Sequence, residues 1–306
     1  MIIRPKAPST LSMLFSRHGS IIPFIWGKVL FTVLIALAVS VTHGTLYHFK
    51  VTLTATPFSL IGLTLAIFLG FRNSVCYDRF WEGRKLWGEL LIVSRNLARQ
   101  TLTLTPDIGE EGARNRLYRI CAFGHALRHH LRDSDPREDL QRLLPAGELE
   151  VVMAAANRPN LILERLGRHQ ASLARSHDLP PVLLASMDEQ ITRMSYVLGG
   201  CERIRQTPMP YAYLLLLHRT VHMYCFMLPF GLIDTVGYLT PLVVAIVSYT
   251  FFALDALGEQ IENPFDTHPN DLPLKAISHA IEGNLKELLG EAVPPAPPPD
   301  EDGILL

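Results

Sequence analysis

The run from Pro57 to Phe71, Pro-Phe-Ser-Leu-Ile-Gly-Leu-Thr-Leu-Ala-Ile-Phe-Leu-Gly-Phe, carries no charge. It passes without a helix breaker into Arg72-Asn-Ser-Val-Cys-Tyr-Asp-Arg-Phe-Trp-Glu-Gly-Arg-Lys-Leu-Trp87. An apolar helix that leads directly into a charged one has to cross from hydrocarbon into water, because neither half suits the other's solvent. A chain built around such a junction is part membrane and part soluble.

Composition agrees with that division. The 306 residues are 48% hydrophobic and 19% charged, and the mean hydropathy is +0.20. These values are too polar for a wholly embedded protein and too apolar for an ordinary soluble one. A formal net charge of -1 argues against nucleic acid as a partner. Cys76, Cys121, Cys201 and Cys225 have no CxxC or other metal spacing and read as free, buried thiols. No P-loop, GxGxxG, HExxH or GxSxG is present, so the sequence offers no enzyme signature, cofactor motif or metal motif.

Four membrane segments are expected, at residues 21–43, 57–72, 216–237 and 240–258. The first is interrupted only by Lys28. At about 1.5 Å per residue it crosses a hydrocarbon core of about 30 Å, longer than the apolar part of a cleavable signal, and reads as a retained helix. The second has Thr56 as its expected N-cap and Pro57 at the first helical position, and it is short for a lone span. Its shortness is explained if it is buried among neighbours or continues below the membrane from Arg72. In the third, Arg219 belongs near an interface, because a charge at the bilayer centre is expensive. The fourth follows a turn near Gly237 and ends beside Asp255, an acid that calls for a basic partner the sequence does not identify.

Lysine and arginine crowd the N-terminal arm and the residues after Phe71, whereas the 44–56 link has only Lys50 and the turn between the last two spans has neither. The positive-inside rule then makes both termini and the large middle region cytoplasmic. Residues 73–215 and 259–290 read as a helical cytosolic region. Leu86, Leu90, Val93 and Leu97 repeat at helical spacing. Breaks are expected at Thr105–Gly109, Asp133–Pro136, Pro145–Gly147, Arg158-Pro159 and Leu179–Pro181. The tail, residues 291–306, is proline-rich and acidic and is expected to be disordered or extended.

Leu63, Ile67 and Phe71 are spaced by four and share one helix face. Copies of that face around an axis would stack apolar rings able to gate ions by dewetting. Leu65, Phe68 and Leu69 are equally apolar, so periodicity alone leaves the choice between pore lining and ordinary packing open. Arg72, Asp78, Arg79 and Glu82 form a mixed-charge segment, readable as an ion vestibule or as an ion-pair network. Trp81 and Trp87 fall on different faces, one suited to an interface and one to a core. His125 and His129 form an i, i+4 pair followed by His130. With no acid or cysteine nearby in sequence, a solvated or inter-subunit face is expected for them rather than a metal site.

Several motifs together carry a family resemblance: Arg4-Pro-Lys, His18-Gly-Ser20, Pro57 to Asn73, Tyr77-Asp-Arg-Phe-Trp-Glu-Gly-Arg-Lys-Leu-Trp-Gly88, Val197-Leu-Gly-Gly-Cys-Glu-Arg203, Thr207-Pro-Met-Pro210, Glu262-Asn-Pro-Phe265 and Asn270-Asp-Leu-Pro-Leu274. On these the chain resembles the bacterial branch of the bestrophins over nearly its whole length. The resemblance implies an all-α homopentamer in the bacterial inner membrane, with one axial pore that passes small monovalent ions and uses no cofactor. It places the apolar neck at Leu63, Ile67 and Phe71 and a second, cytosolic aperture at Val182. The sign of the permeant ion stays open. Animal relatives hold calcium through consecutive acids after the Asn-Pro-Phe motif, whereas here the stretch from Phe265 to Leu272 offers only Asp266 and Asp271, too few carboxylates for calcium gating. A membrane-anchored scaffold or sensor with a cytosolic partner is the alternative, and a membrane enzyme is the weakest reading.

Overall fold

The computed structural model describes residues 19–42, 45–46, 49–50, 54–105, 108–176, 178–299 and 304–305. The basic arm with Arg4, Lys6, Arg17 and His18, part of the 44–56 link, Pro106 and Asp107 of the first expected break, and residues 300–303 of the tail lie outside the described residues.

The order of elements is α1 (Ile22–Val41), a two-residue antiparallel ladder of β1 (Thr45–Leu46) and β2 (Phe49–Lys50), α2 (Ala55–Leu104), α3 (Gly109–Arg132), α4 (Arg137–Gln141), α5 (Ala146–Ala154), α6 (Arg158–Ser176), α7 (Pro181–Gln206), α8 (Tyr211–Val236), a 3-10 turn (Gly237–Leu239), α9 (Thr240–Glu262) and α10 (Leu274–Leu288). The expected breaks fall between helices or at their starts, where proline and glycine belong. Pro181 opens α7, and the missing N–H of a first-turn proline costs no intrahelical bond. Gly109 takes φ +71 at the start of α3, a left-handed conformation that glycine adopts without strain. One start differs from expectation. The long helix α2 begins at Ala55, so Thr56 is helical and Pro57 is the third residue, still within the turn whose N–H groups have no helical acceptor.

The chain forms two compact units. The first, apolar unit takes in α1, α2 as far as Arg79, and Pro208–Asn263 with α8 and α9. Its core joins Ile25 and Ala36 of α1, Leu65 and Leu69 of α2, Leu217, Val221, Tyr224 and Leu228 of α8, and Val244, Phe251 and Phe252 of α9. Among the described residues, three helical stretches are long and apolar enough to cross a membrane: Ile22–Val41, Ala55–Leu104 and Tyr211–Glu262. The expected third and fourth segments fall within the last, which contains the 3-10 turn and two helices, α8 and α9. Both are longer than the spans read from hydropathy, α8 starting at Tyr211 and α9 ending at Glu262.

Helices lacking a water-driven attraction approach closely where one of them carries a small residue. Gly231 of α8 is such a point: a Cβ there would lie 2.6 Å from Phe58 Cε2 and 3.0 Å from Phe58 Cγ. Gly231→Ala is therefore expected to overpack the apolar unit and destabilise it by about 1–3 kcal/mol. A thermal melt of the detergent-solubilised variant checks this, and an unchanged midpoint would mean the Phe58 ring can move at no cost.

The second, polar unit comprises Phe80–Thr207 and the residues from Pro264 onward. Its core contains Leu86, Leu90, Val93 and Leu97, all four buried as their spacing requires, against Leu117, Ile120, Phe123 and Leu127 of α3, Leu166 of α6, Met194 of α7 and Ile281 of α10. Trp87 is fully buried while Trp81 is exposed, which resolves the pair into core and surface. All four cysteines are free and buried. Residues 291–299 carry no helix or strand. Glu291 is held by Arg114 at 2.8 Å and by the Tyr118 hydroxyl at 2.6 Å, so the start of the tail is anchored to α3.

Candidate functional site

Along the first half of α2, burial separates faces that hydropathy could not. Leu65 and Leu69 are 3% and 0% exposed and belong to the core of the apolar unit. Leu63, Ile67 and Phe71 are 61%, 49% and 63% exposed, and Leu60, Ile61 and Phe68 are uncovered beside them at 62%, 44% and 46%. Residues two apart in an α-helix point about 200° away from each other, so one face is spent on the chain's own fold and the opposite one is left free. Ser74 and Asp78, three and seven residues beyond Phe71, continue the free face and are exposed. Val182, the second residue of α7, is 79% exposed.

Directly after Phe71 the helix turns a charge inward. Arg72 Nη1 donates to Asp255 Oδ1 at 2.5 Å, and both side chains are almost completely buried. Asp255 Oδ2 meets His218 Nδ1 at 3.0 Å. Arg72 is thus the base that Asp255 required. Gly258, one turn along α9, lets α2 approach closely here: a Cβ there would collide with the Asn73 side-chain oxygen, next to Arg72. The rest of the mixed-charge segment has separate partners. Arg79 Nε donates to the Glu262 carbonyl at 2.9 Å, and the Glu262 carboxylate accepts the Met209 N–H at 2.9 Å. Glu82 pairs with Arg203, and Asp78 is exposed.

The histidines of α3 correct the expectation of a solvated or inter-subunit face. His125 is fully buried, with its Nε2 at 2.8 Å from Glu282 of α10 and its Nδ1 at 3.5 Å from Asp139 of α4. His129 lies 3.0 Å from Asp139, and His130 lies 2.9 Å from Glu202 of α7. Acids absent from the neighbouring sequence are supplied by other helices. Arg142 bridges the half-buried Asp139 and the buried Glu282, reaching them at 2.7 Å and 3.0 Å; Lys286 also holds Glu282, at 2.8 Å. Burial by itself would raise both carboxyl pKa values. The His125 imidazole beside Asp139 with hydrogen bonds from His129 and Arg142, and hydrogen bonds from His125, Lys286 and Arg142 to Glu282, outweigh it and hold both far below the usual carboxylate range.

A carboxylate with a depressed folded pKa contributes stability that is complete above its unfolded value and is lost as pH falls toward the folded one. The ordinary values here are 3.8 and 4.5. The contribution of these two carboxylates to the polar unit is therefore expected to be complete above about pH 4.5 and to be lost progressively below. The thermal midpoint followed through tryptophan emission, with Trp87 buried in that core, should drop steeply between about pH 5 and pH 3. A flat midpoint over that range would show that the network adds nothing.

In the loop after Asn263-Pro-Phe265, the backbone carbonyls are turned to Arg132 of α3. Its guanidinium donates to the carbonyls of Phe265 at 2.9 Å, Asp266 at 3.0 Å and Leu272 at 3.2 Å. Asp271 is buried, accepts the His268 N–H at 2.6 Å, and burial pushes its pKa up to about 7. A loop whose carbonyls already serve a guanidinium and whose inner carboxyl is raised toward neutrality does not suit a hard divalent cation.

Apolar helices long enough to span a bilayer, joined in one chain to a helical polar unit, define an all-helical membrane protein with a free apolar face on its second helix. The chain belongs to the bacterial and fungal bestrophins, whose family model matches residues 1–287. It is 41% identical over 292 residues to a voltage-dependent anion channel-forming protein of Ralstonia nicotianae, covering 95% of each chain. It is 42% identical over 296 residues to one of Salmonella typhi, covering 97% of this chain and 96% of that one. The crystal structure of a bacterial bestrophin homolog from Klebsiella pneumoniae is similar with a TM-score of 0.85 at 40% identity, covering 88% of this chain and 99% of that one.

Proposed function

We propose that this chain is one subunit of a passive anion channel, a homopentamer in the bacterial inner membrane. Its axial pore narrows at rings of Leu63, Ile67 and Phe71, with a second aperture at Val182. The observation that carries this reading is the division of α2: the helix buries Leu65 and Leu69 in its own subunit and leaves the stripe of Leu63, Ile67 and Phe71, spaced by four, on a broad uncovered apolar surface that also holds Leu60, Ile61 and Phe68. Five such stripes facing an axis make a dry constriction that an ion crosses only by shedding water. The relatives named as anion channel-forming proteins favour anions as the permeant class. Four crossings, by α1, the first part of α2, α8 and α9, keep both termini on the cytoplasmic side, as the lysine and arginine distribution requires.

The Arg132-bound loop favours a channel that opens without calcium, and no step of conduction calls on an enzyme site or cofactor. Purified protein reconstituted alone into liposomes, under matched sodium and chloride gradients, tests the proposal. Flux in the absence of any partner, with a reversal potential near that of chloride, is the expected result. A tight vesicle would point to the scaffold or sensor instead, and a reversal potential near that of sodium would assign cations.

A further inference from the structure

Among the described residues, one group of three metal-capable side chains comes together: His218 and His222 of α8 with Asp255 of α9, their ligand atoms all within 4.8 Å of one another. From this geometry we infer a binding site for a borderline divalent transition metal, zinc being the representative, within the apolar unit. His218 and His222 are an i, i+4 pair on one helix face with ring centroids 4.1 Å apart, and Asp255 closes the site from the neighbouring helix. Two imidazoles and a carboxylate are the donor set of zinc sites with an open fourth position, and they disfavour magnesium and calcium, which take oxygen ligands.

The outer contacts prepare these ligands as metal sites require. His222 Nδ1–H donates to the His218 carbonyl at 2.7 Å, which fixes the tautomer and leaves the Nε2 lone pair free. Arg72 on Asp255 Oδ1 orients the carboxylate so that Oδ2 is the oxygen facing His218. Access exists, because His218 is 47% exposed at its side chain while Asp255 is buried. The same Arg72 sets the strength. Its charge offsets that of the single carboxylate, and Lys28, 6.0 Å from the Phe252 ring that packs on His222, adds a second positive charge nearby. A divalent ion is held there reversibly, more weakly than in a structural zinc site.

Zinc titration of the purified full-length protein by calorimetry, with cobalt(II) absorption as a second readout, tests the site independently of ion conduction. The wild type should bind one equivalent per chain in a class of sites absent from His218→Gln/His222→Gln. Cobalt should give the intense visible band of a low-coordinate N/O site. Either single variant should weaken affinity at least about tenfold, the size of effect seen when a ligand or its orienting partner is lost. His169→Gln, in the polar unit, should leave this class intact. Equal stoichiometry and affinity in the wild type and the double histidine variant would overturn the assignment, as would no zinc binding by the wild type.

Discussion

Cutting back Leu63, Ile67 and Phe71 together to alanine is expected to raise single-channel conductance by roughly tenfold in planar bilayers. The barrier in an apolar neck is the cost of stripping water from an ion where no side chain replaces it, so a wider, wetter throat lowers it directly. A reduction of only about 1.4 kcal/mol gives a tenfold faster transit, and three bulky rings removed from one constriction make that a modest demand. Leu65→Ala and Leu69→Ala supply the control, because they delete the same kind of side chain from the same helix on its buried face. Those changes should cost about 2–5 kcal/mol of stability through the cavities they leave and should not reproduce the gain in conductance. The neck assignment fails if the two faces respond alike, or if the triple alanine protein conducts as the wild type does.

This contrast between faces marks the limit of what the sequence could say. The helix itself was legible: nothing between Pro57 and Trp87 interrupts a helix, and the structure carries α2 unbroken to Leu104. The spacing of Leu86, Leu90, Val93 and Leu97 named a buried stripe correctly, because polar residues on other faces gave the pattern contrast. Between Leu60 and Phe71 no such contrast exists. All faces are apolar because lipid, a neighbouring helix and a dry pore select the same residues, and burial sets apart only the face that Leu65 and Leu69 pack into the core.

Partners across the fold were equally invisible. Asp139 and Glu282 reach His125 from other helices, Glu282 from 157 residues away, and helical periodicity carries no information about such pairings. Glu282 and Lys286 at i, i+4 on α10, and Asp139 and Arg142 at i, i+3, were the local signals of that network. Proline and glycine, by contrast, act through their own backbones. Gly237 at φ +59 and Pro181 at the start of α7 were therefore readable without any knowledge of the fold.

Removing the carboxylate of Asp255 should be the most damaging single change to the apolar unit. Arg72 and Asp255 are separated by 183 residues yet bury nearly all of both side chains, at 5% and 4% exposure, in one short ion pair. A buried pair adds little net stability over a well-packed apolar pair, because desolvating two charges consumes most of their attraction. Breaking it is different, since Asp255→Ala strands a guanidinium with no counter-charge in a low-dielectric interior. The expected loss is about 3–5 kcal/mol, read as a large drop in the melting temperature of the detergent-solubilised protein. Asp255→Asn keeps the volume and one acceptor for Arg72 and should lose less. Replacing both partners, as in Arg72→Met/Asp255→Leu, should recover most of the deficit, because no unpaired charge remains. That recovery separates the ion pair from a simple packing defect: if the double replacement is as unstable as Asp255→Ala, the damage lies in lost shape around Gly258 and His218 rather than in the stranded charge.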